Sequence, residues 1–389
     1  MTIHNTTHIP EWWRETTLGE IVTIWRWSSP RPIQDYLSDF GIPWVKISDA
    51  TASQNRFIEW TKEYIKEEGR STSVQPGNLL VSNSATPWIP KFMRIHACVH
   101  DWWLVFSNYK ELNNDYLYYF FLDYRRHLEH SASWTVFKNL TTDIVRHVPI
   151  LLPPLPEQRA IADILSSLDA KIELLRDQNE ILEKTAQTIF QEWFMDNETY
   201  PRQRLWDLMI VKRWWSPRPI QDYLQENGLR WLKISDASAT QWPYIFEIKE
   251  CIKEEWLRKT IHLDAWSLVL SNSATPWIPK ILAVDSCIHD GWLYFPKSNF
   301  SNEFLFLLFQ TIRPLLIQQW SGSVFTNLKT DILKDFEAPL PDDDILKAFD
   351  NVVKPIFSKI YNNSLQIQSL SKTRDTLLPK LMSGEVRVA

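Results

Sequence analysis

Two arginines 187 positions apart sit in the same nine-residue word. SPRPIQDYL runs from Ser29 to Leu37 and again from Ser216 to Leu224, and it sets Arg31 and Arg218 between prolines. A guanidinium is a planar fork of donors that fits guanine O6/N7, or a phosphate, with two bonds at once. Lysines recur with the arginines. Lys46 and Lys233 precede ISDA, and Lys91 and Lys280 close SNSATPWIPK, where phosphate contact is the plain expectation. Asn83, Ser84 and Thr86 in the first decapeptide answer Asn272, Ser273 and Thr275 in the second. Asn139 and Asn327 lie in a repeated NLxTDI. These amides and hydroxyls can touch bases or backbone. They can equally shape their own loops, and both readings stand.

Chemistry beyond binding finds little support. His100–Asp101 and His289–Asp290 repeat as well, but no nucleophile accompanies them, so a structural hydrogen bond is the simpler reading. Cys98 and Cys287 lie beside them, and one Cys with one His per copy is too few ligands for a closed metal site. No GxxxxGK(S/T) loop, no GxGxxG, no NPPY-type methylation motif and no D…ExK cluster occurs. Binding of S-adenosylmethionine or ATP, and strand cleavage, are therefore not expected of this chain. The net charge is −5, and the acid is concentrated in 154–200, with 4 Lys+Arg against 10 Asp+Glu. The two large segments on either side are near neutral, which leaves room for a local basic face on each. No apolar run approaches the roughly 18 residues of a membrane span, and no charged-then-apolar leader opens the chain. A cytoplasmic protein without membrane contact is expected.

The elements that must position these residues are duplicated. VKISDA answers LKISDA, CVHDWW answers CIHDGW, and VFKNLTTDI answers VFTNLKTDI, at offsets of 187 to 189. Each copy is the size of a full domain. Short β-rich runs broken by Pro and Asn, with one apolar helical stretch per copy (116–128; 304–317), predict an α+β domain with a mixed or antiparallel sheet. The domains span 1–153 and 201–341, and each leads into a further segment, 154–200 after the first and 342–389 after the second.

Those two further segments read as long helices. Ile161, Leu165, Leu168, Ile172, Leu175, Asn179 and Leu182 step by four and three, as a heptad seam does. Asn179 is the polar residue of the seam, of the kind that fixes register. Leu346, Val353, Phe357, Ile360 and Ile367 hold the corresponding steps in the second helix, with Ser364 aligned to Asn179. A helix of about 38 residues would be about 57 Å long. Pro355 predicts a kink or an interruption. The simplest packing sets the two helices against each other as an antiparallel coiled coil, which makes the molecule pseudo-two-fold.

Tryptophan is the anomaly. The chain holds 8 glycines and 21 tryptophans, whereas glycine usually makes up roughly 7% of a protein. Gly19, Gly69 and Gly77 align with Trp206, Trp256 and Trp266, while Trp102 and Trp134 align with Gly291 and Gly322. Exchange of the smallest residue for the largest is not neutral drift, since glycine serves where φ is positive or backbones approach closely. The expectation is that UGA codons meaning glycine are written as tryptophan. Trp25, Trp27, Trp88, Trp214, Trp215 and Trp277 would then be glycines too. A truly tryptophan-rich chain is the alternative. Trp44/Trp231 and Trp103/Trp292 pair with each other and read as core aromatics.

The order domain–helix–domain–helix, with PLPEQRAIADILSSLDAKI after the first domain and LLPKLMSGEVRV at the distal end, resembles the DNA specificity subunit of type I restriction–modification enzymes. The resemblance covers essentially the whole chain, and the tryptophans are its departures. It implies two target recognition domains, each reading half of a split double-stranded DNA site. It further implies that the helices act as spacer and platform for two methyltransferase subunits and, in the full enzyme, two motor–nuclease subunits. S-adenosylmethionine, ATP and Mg would belong to those partners, and the chain itself would be non-catalytic. Because the loops are shared, the half-sites should be related and the target nearly palindromic. A stand-alone DNA-binding or anti-restriction regulator, and a scaffold without DNA readout, are the competing readings.

Overall fold

The structure is a computed structural model and describes residues 10–52, 55–129, 140–216, 218–273, 277–321, 333, 335–339 and 341–388. The chain divides into two compact units: Met1–Leu174 with Ile367–Ala389, and Leu175–Gln366.

In the first unit two five-stranded sheets share the domain. One has the order 37–38, 63–65, 42–45, 97–99, 72–74, and the other 23–25, 103–107, 79–82, 90–93, 57–58. Each sheet is mixed, with a single parallel neighbour pair: Trp44 beside Cys98 in one, Phe57 beside Phe92 in the other. The central strands Leu79–Ser82 and Pro90–Met93 are buried at every position. Alternation explains how both faces are used. Leu79, Val81, Leu104 and Phe106 pack with the helix Asn114–Glu129, while Leu80, Trp103 and Val105 pack with Val45 and Val99 of the other sheet. The expected helix is thus present, with bounds slightly wider than the apolar stretch.

The second unit repeats the plan strand for strand. Its sheets run 209–213, 292–298, 268–271, 279–282, 244–245 and 224–225, 251–252, 229–232, 286–288, 261–263. The parallel pairs recur as Trp231 beside Cys287 and Tyr244 beside Ile281. The helix Asn302–Ser321 takes the place of Asn114–Glu129.

The central helix, Leu155–Phe190, continues into a π-helical turn, Gln191–Met195, and the distal helix is Asp343–Met382. The distal helix passes Pro355 without a break, contrary to the expected interruption. Pro355 faces solvent, while Val353 and Phe357 on either side are fully buried and hold the turn to the core. Within the first unit Ile161 and Leu165 share a core with Leu378 and Leu381. Within the second, Ala186 and Phe190 share one with Phe349, Val353, Phe357 and Ile360. In each unit the helices therefore pair antiparallel. Of the seam residues, Ile172, Leu175 and Ile367 are buried, while Leu168, Leu182 and Leu346 are partly covered. Asn179 is fully buried; its Nδ2 donates to Ser364 Oγ at 3.3 Å, and its Oδ1 accepts from Asn363 Nδ2 at 2.9 Å. The two residues aligned by the duplication thus meet across the helix pair.

Candidate nucleic-acid interface

The SPRP loop is anchored from below by an aspartate that is remote in sequence. Ser29 Oγ accepts from the backbone N–H of Asp101 at 2.9 Å, and Ser216 Oγ accepts from that of Asp290 at 2.7 Å. Each arginine then closes on the same aspartate: Arg31 Nη2 reaches Asp101 Oδ2 at 2.9 Å, and Arg218 Nη2 reaches Asp290 Oδ2 at 3.2 Å. The arginine side chains stay 61% and 76% exposed, so these ion pairs are held only loosely. Exposed pairs contribute about 0–1 kcal/mol, which a phosphate or a base edge can outbid. One terminal nitrogen of each fork is used, and the other donors have no partner among the described residues. The Arg31–Pro32 and Arg218–Pro219 peptide bonds are both cis.

The lysines before ISDA lie beside this clasp. Lys46 Nζ pairs with Glu63 at 2.5 Å, and Lys233 pairs with Glu250. In the second unit Ser216, Arg218, Trp231, Lys233, His289 and Asp290 line one open cleft of about 760 Å³. Two sequence-predicted contacts, Arg218 and Lys233, are thereby brought to a common wall. The histidines face inward. The N–H of Trp102 points at His100 Nδ1 at 3.2 Å, and that of Gly291 at His289 Nδ1 at 2.8 Å. Burial pushes both imidazoles below their usual range, against the pull of the adjacent aspartates. Burial alone would raise the Asp290 carboxyl, but hydrogen bonds from Ser216 and Arg218 outweigh it and hold it below the usual range.

The SNSATPWIPK residues occupy a different place. Asn83 and Asn272 are buried, and the Asn83 N–H donates to the carbonyl of Trp102 at 2.9 Å, while that of Asn272 donates to the carbonyl of Gly291 at 2.7 Å. Asn83 Nδ2 also donates to the carbonyl of Asp101 at 3.4 Å. Ser84, Thr86 and Ser273 are half-buried, and the Thr86 carbonyl accepts from Ser82 Oγ at 2.6 Å. Lys91 and Lys280 lie inside. Lys91 Nζ donates to the carbonyl of Asn55, and Lys280 Nζ to the carbonyls of Thr240 and Trp242, both at 2.6 Å. These two lysines tie down a neighbouring loop and do not reach solvent, unlike Lys46 and Lys233. Thr275, Asn139 and Asn327 fall outside the described residues. The partners that the sequence reading missed are Asp101/Asp290 for the arginines and Glu63/Glu250 for the lysines. Their signal was available, because both acids recur at the offset of the copies.

Lys280 gives a pH test. Burial pushes its ammonium down to about 8 from the ordinary 10.5, despite the attraction of Glu183. Burial pushes the Glu183 carboxyl up in turn, although Gln310 donates to it at 2.6 Å. Below about pH 8 Lys280 is protonated in both folded and unfolded chain, and the burial cost is carried in full. Between there and 10.5 only the unfolded chain holds the proton, so stability rises with pH. At about 1.4 kcal/mol per pH unit, denaturant unfolding should show a gain of roughly 2–3 kcal/mol between pH 8 and pH 10 that Lys280→Met abolishes. An identical slope in the variant would show that the ammonium is not desolvated.

Among the described residues no group of three or more metal-ligating side chains converges, and no helix is long and apolar enough to cross a membrane. The fold and clasp define a duplicated domain that presents one exposed arginine loop in each copy. A family model for the type I restriction modification DNA specificity domain matches residues 10–184. The chain is 26% identical over 303 residues to the type I restriction enzyme MjaIX specificity subunit of Methanocaldococcus jannaschii, covering 71% of this chain and 69% of that one. It is 21% identical over 411 residues to the MjaVIII specificity subunit of the same organism, covering 98% and 94%. The crystal structure of a type I restriction-modification system S subunit from M. genitalium shares the fold, with a TM-score of 0.60 at 13% identity and 97% of each chain covered. Over these stretches the chain is similar to specificity subunits of type I restriction enzymes. These relatives give no support to the regulator and scaffold readings.

Proposed function

We propose that this chain selects a two-part DNA site for a type I restriction–modification complex, each unit reading one half through the loop that carries Arg31 or Arg218. The observation that carries this reading is the duplicated, solvent-facing arginine held by a single aspartate, with a lysine beside it. Arg31 and Arg218 are the base or phosphate readers, and Lys46 and Lys233 are phosphate contacts. Asn83, Asn272, Lys91 and Lys280 hold the loops behind them. The paired long helices dock two methyltransferase subunits, and motor–nuclease subunits join in the full enzyme. S-adenosylmethionine, ATP and Mg reside on those partners, and the chain alone neither methylates nor cuts.

Since both units build the same clasp from the same words, the half-sites are related. On this reading the target is a near-palindrome with an unspecific spacer. Co-expression with the partner methyltransferase, with methylation mapping of the host DNA, tests this. Two related, inverted half-sites are expected. Two unrelated half-sites would place specificity in the divergent stretches 53–64 and 239–251 and leave the shared loops structural. Methyl transfer by the purified chain without partners would overturn the non-catalytic reading.

A further inference from the structure

Among the described residues six non-glycine residues have a positive φ, and three of the six are tryptophans: Trp88 at +66°, Trp266 at +70° and Trp277 at +61°. Asparagine, as at Asn108, tolerates this region through its short polar side chain, whereas a bulky residue there is an outlier. The duplication supplies an internal control. Trp266 aligns with Gly77, whose φ is +88°, and both backbone N–H groups bond across the same turn, to Leu282 and Met93. The turn is one turn, built with glycine in one copy and tryptophan in the other. Trp88 and Trp277 align with each other inside the identical decapeptide, so the same left-handed backbone recurs where no glycine is left to compare.

A second position makes the case by close approach. A Cβ added to Gly69 would lie 2.5 Å from Tyr36 Cβ. In the other copy Trp256 stands at that place against the aligned Tyr223, with ring centroids 3.6 Å apart at an interplanar angle of 54°. Aromatic pairs normally keep roughly 4.5–7 Å. Trp102 aligns with Gly291, where an added Cβ would lie 2.3 Å from the His289 ring and 2.6 Å from Ser273 Oγ. The indole N–H groups of Trp88, Trp256 and Trp277 are buried with no partner among the described residues. Trp44 and Trp103 share that property, so the backbone and the close approaches decide, and not the orphaned donors. Trp44, Trp103, Trp231 and Trp292 lie in strands, are buried and pair copy with copy, as real core aromatics do.

We infer that the natural protein carries glycine at Trp88, Trp256, Trp266 and Trp277, and at Trp102, with UGA codons read as glycine in the cells it comes from. The same reading extends to Trp27, Trp214 and Trp215, which are 69%, 42% and 64% exposed on the approach to the arginine loops. Those loops then become GSSPRP and GGSPRP, in which the backbone can come close to a bound strand. This last consequence rests on the DNA-reading assignment, whereas the glycine assignment does not.

Peptide mass spectrometry of the protein from its own cells, read beside its gene, is the test. Glycine at these positions over UGA codons is expected, with tryptophan over UGG at Trp44, Trp103, Trp231 and Trp292. Tryptophan over UGG at Trp88, Trp266 and Trp277 would overturn the inference. In the tryptophan-bearing chain, Trp266→Gly provides a second measurement, because the side chain is 51% exposed and gives up only its ring contacts with Tyr361 and Tyr244. Its Tm should rise by roughly 3 °C, and a fall would count against the inference. Restoring glycine at 27, 214 and 215 should tighten binding to the mapped DNA site several-fold. If the peptides carry glycine and this tightening is absent, the DNA-loop consequence fails and the glycine assignment stands.

Discussion

Arg31→Ala combined with Arg218→Ala is expected to weaken specific DNA binding by roughly two to four orders of magnitude, at about 1–3 kcal/mol for each lost fork, while leaving folding intact. The separation of the two effects follows from exposure. Each arginine pairs with its aspartate in the open, where an ion pair contributes about 0–1 kcal/mol, and each aspartate keeps a second anchor in the serine hydroxyl of the same loop. A lost guanidinium therefore removes exposed donors without exposing core. The single variants should act on one half-site each, Arg31→Ala in the first unit and Arg218→Ala in the second. Arg→Lys separates the two chemistries: if the forks hold phosphate, lysine restores most of the affinity, and if they read guanine, it restores affinity without selectivity. Competition binding against targets altered in one half, at several salt concentrations, reads all of this. A double alanine variant with unaltered affinity and salt slope would remove the arginine clasp from the interface.

The duplication was legible because it was written in identical words, and the helix seam because heptads are periodic. Even the meeting of Asn179 with Ser364 was foreshadowed, since one polar step aligned with another and a buried polar group needs a partner. Lys91 and Lys280 were not legible. Sequence treats lysine as a surface residue, and only the folded loops show the carbonyl of Asn55 at the Lys91 ammonium and those of Thr240 and Trp242 at the Lys280 ammonium. Arg56 is a similar case. It lies in the divergent stretch, yet its guanidinium is packed 4.9 Å from the Tyr118 ring and 5.1 Å from the Phe92 ring, with Asp115 as its charge partner. Only Phe57 of that cage is local to QNRFIE, and its other walls come from a strand and a helix far along the chain. Pro355 misled for the opposite reason. A local rule predicted a kink or an interruption, and the helix runs on without interruption, with the neighbouring Val353 and Phe357 buried.

Where the copies differ most in their physics is the junction of domain and helices, and the largest effect on stability is expected there. The offset of 185 that pairs Asn179 with Ser364 also aligns Phe190 with Asp375. In the first unit this place is polar. Tyr119 Oη donates to Asp169 Oδ2 at 2.7 Å, Arg374 Nη1 reaches Asp169 Oδ1 at 2.6 Å, and Asp375 takes Arg374 Nε at 3.0 Å and also Arg126. Burial works against the Arg374 charge, but Asp169 and Asp375 outweigh it and hold the guanidinium more firmly protonated than usual. In the second unit the same job is aromatic. Phe190 is fully buried, with ring centroids 5.1 Å from Phe304, 5.3 Å from Phe194 and 5.9 Å from Phe349. Phe190→Ala should cost the second unit about 3–5 kcal/mol, with little dependence on salt. Asp169→Asn keeps the shape but leaves Arg374 with one carboxylate, and it should cost the first unit about 1–3 kcal/mol, less as salt screens the pair in the parent protein. Hydrogen exchange resolves the two units in the full chain. Phe190→Ala should raise exchange in the helix Asn302–Ser321, and Asp169→Asn in Asn114–Glu129. Equal salt dependence of the two losses would show that the polar junction contributes by packing and not by charge.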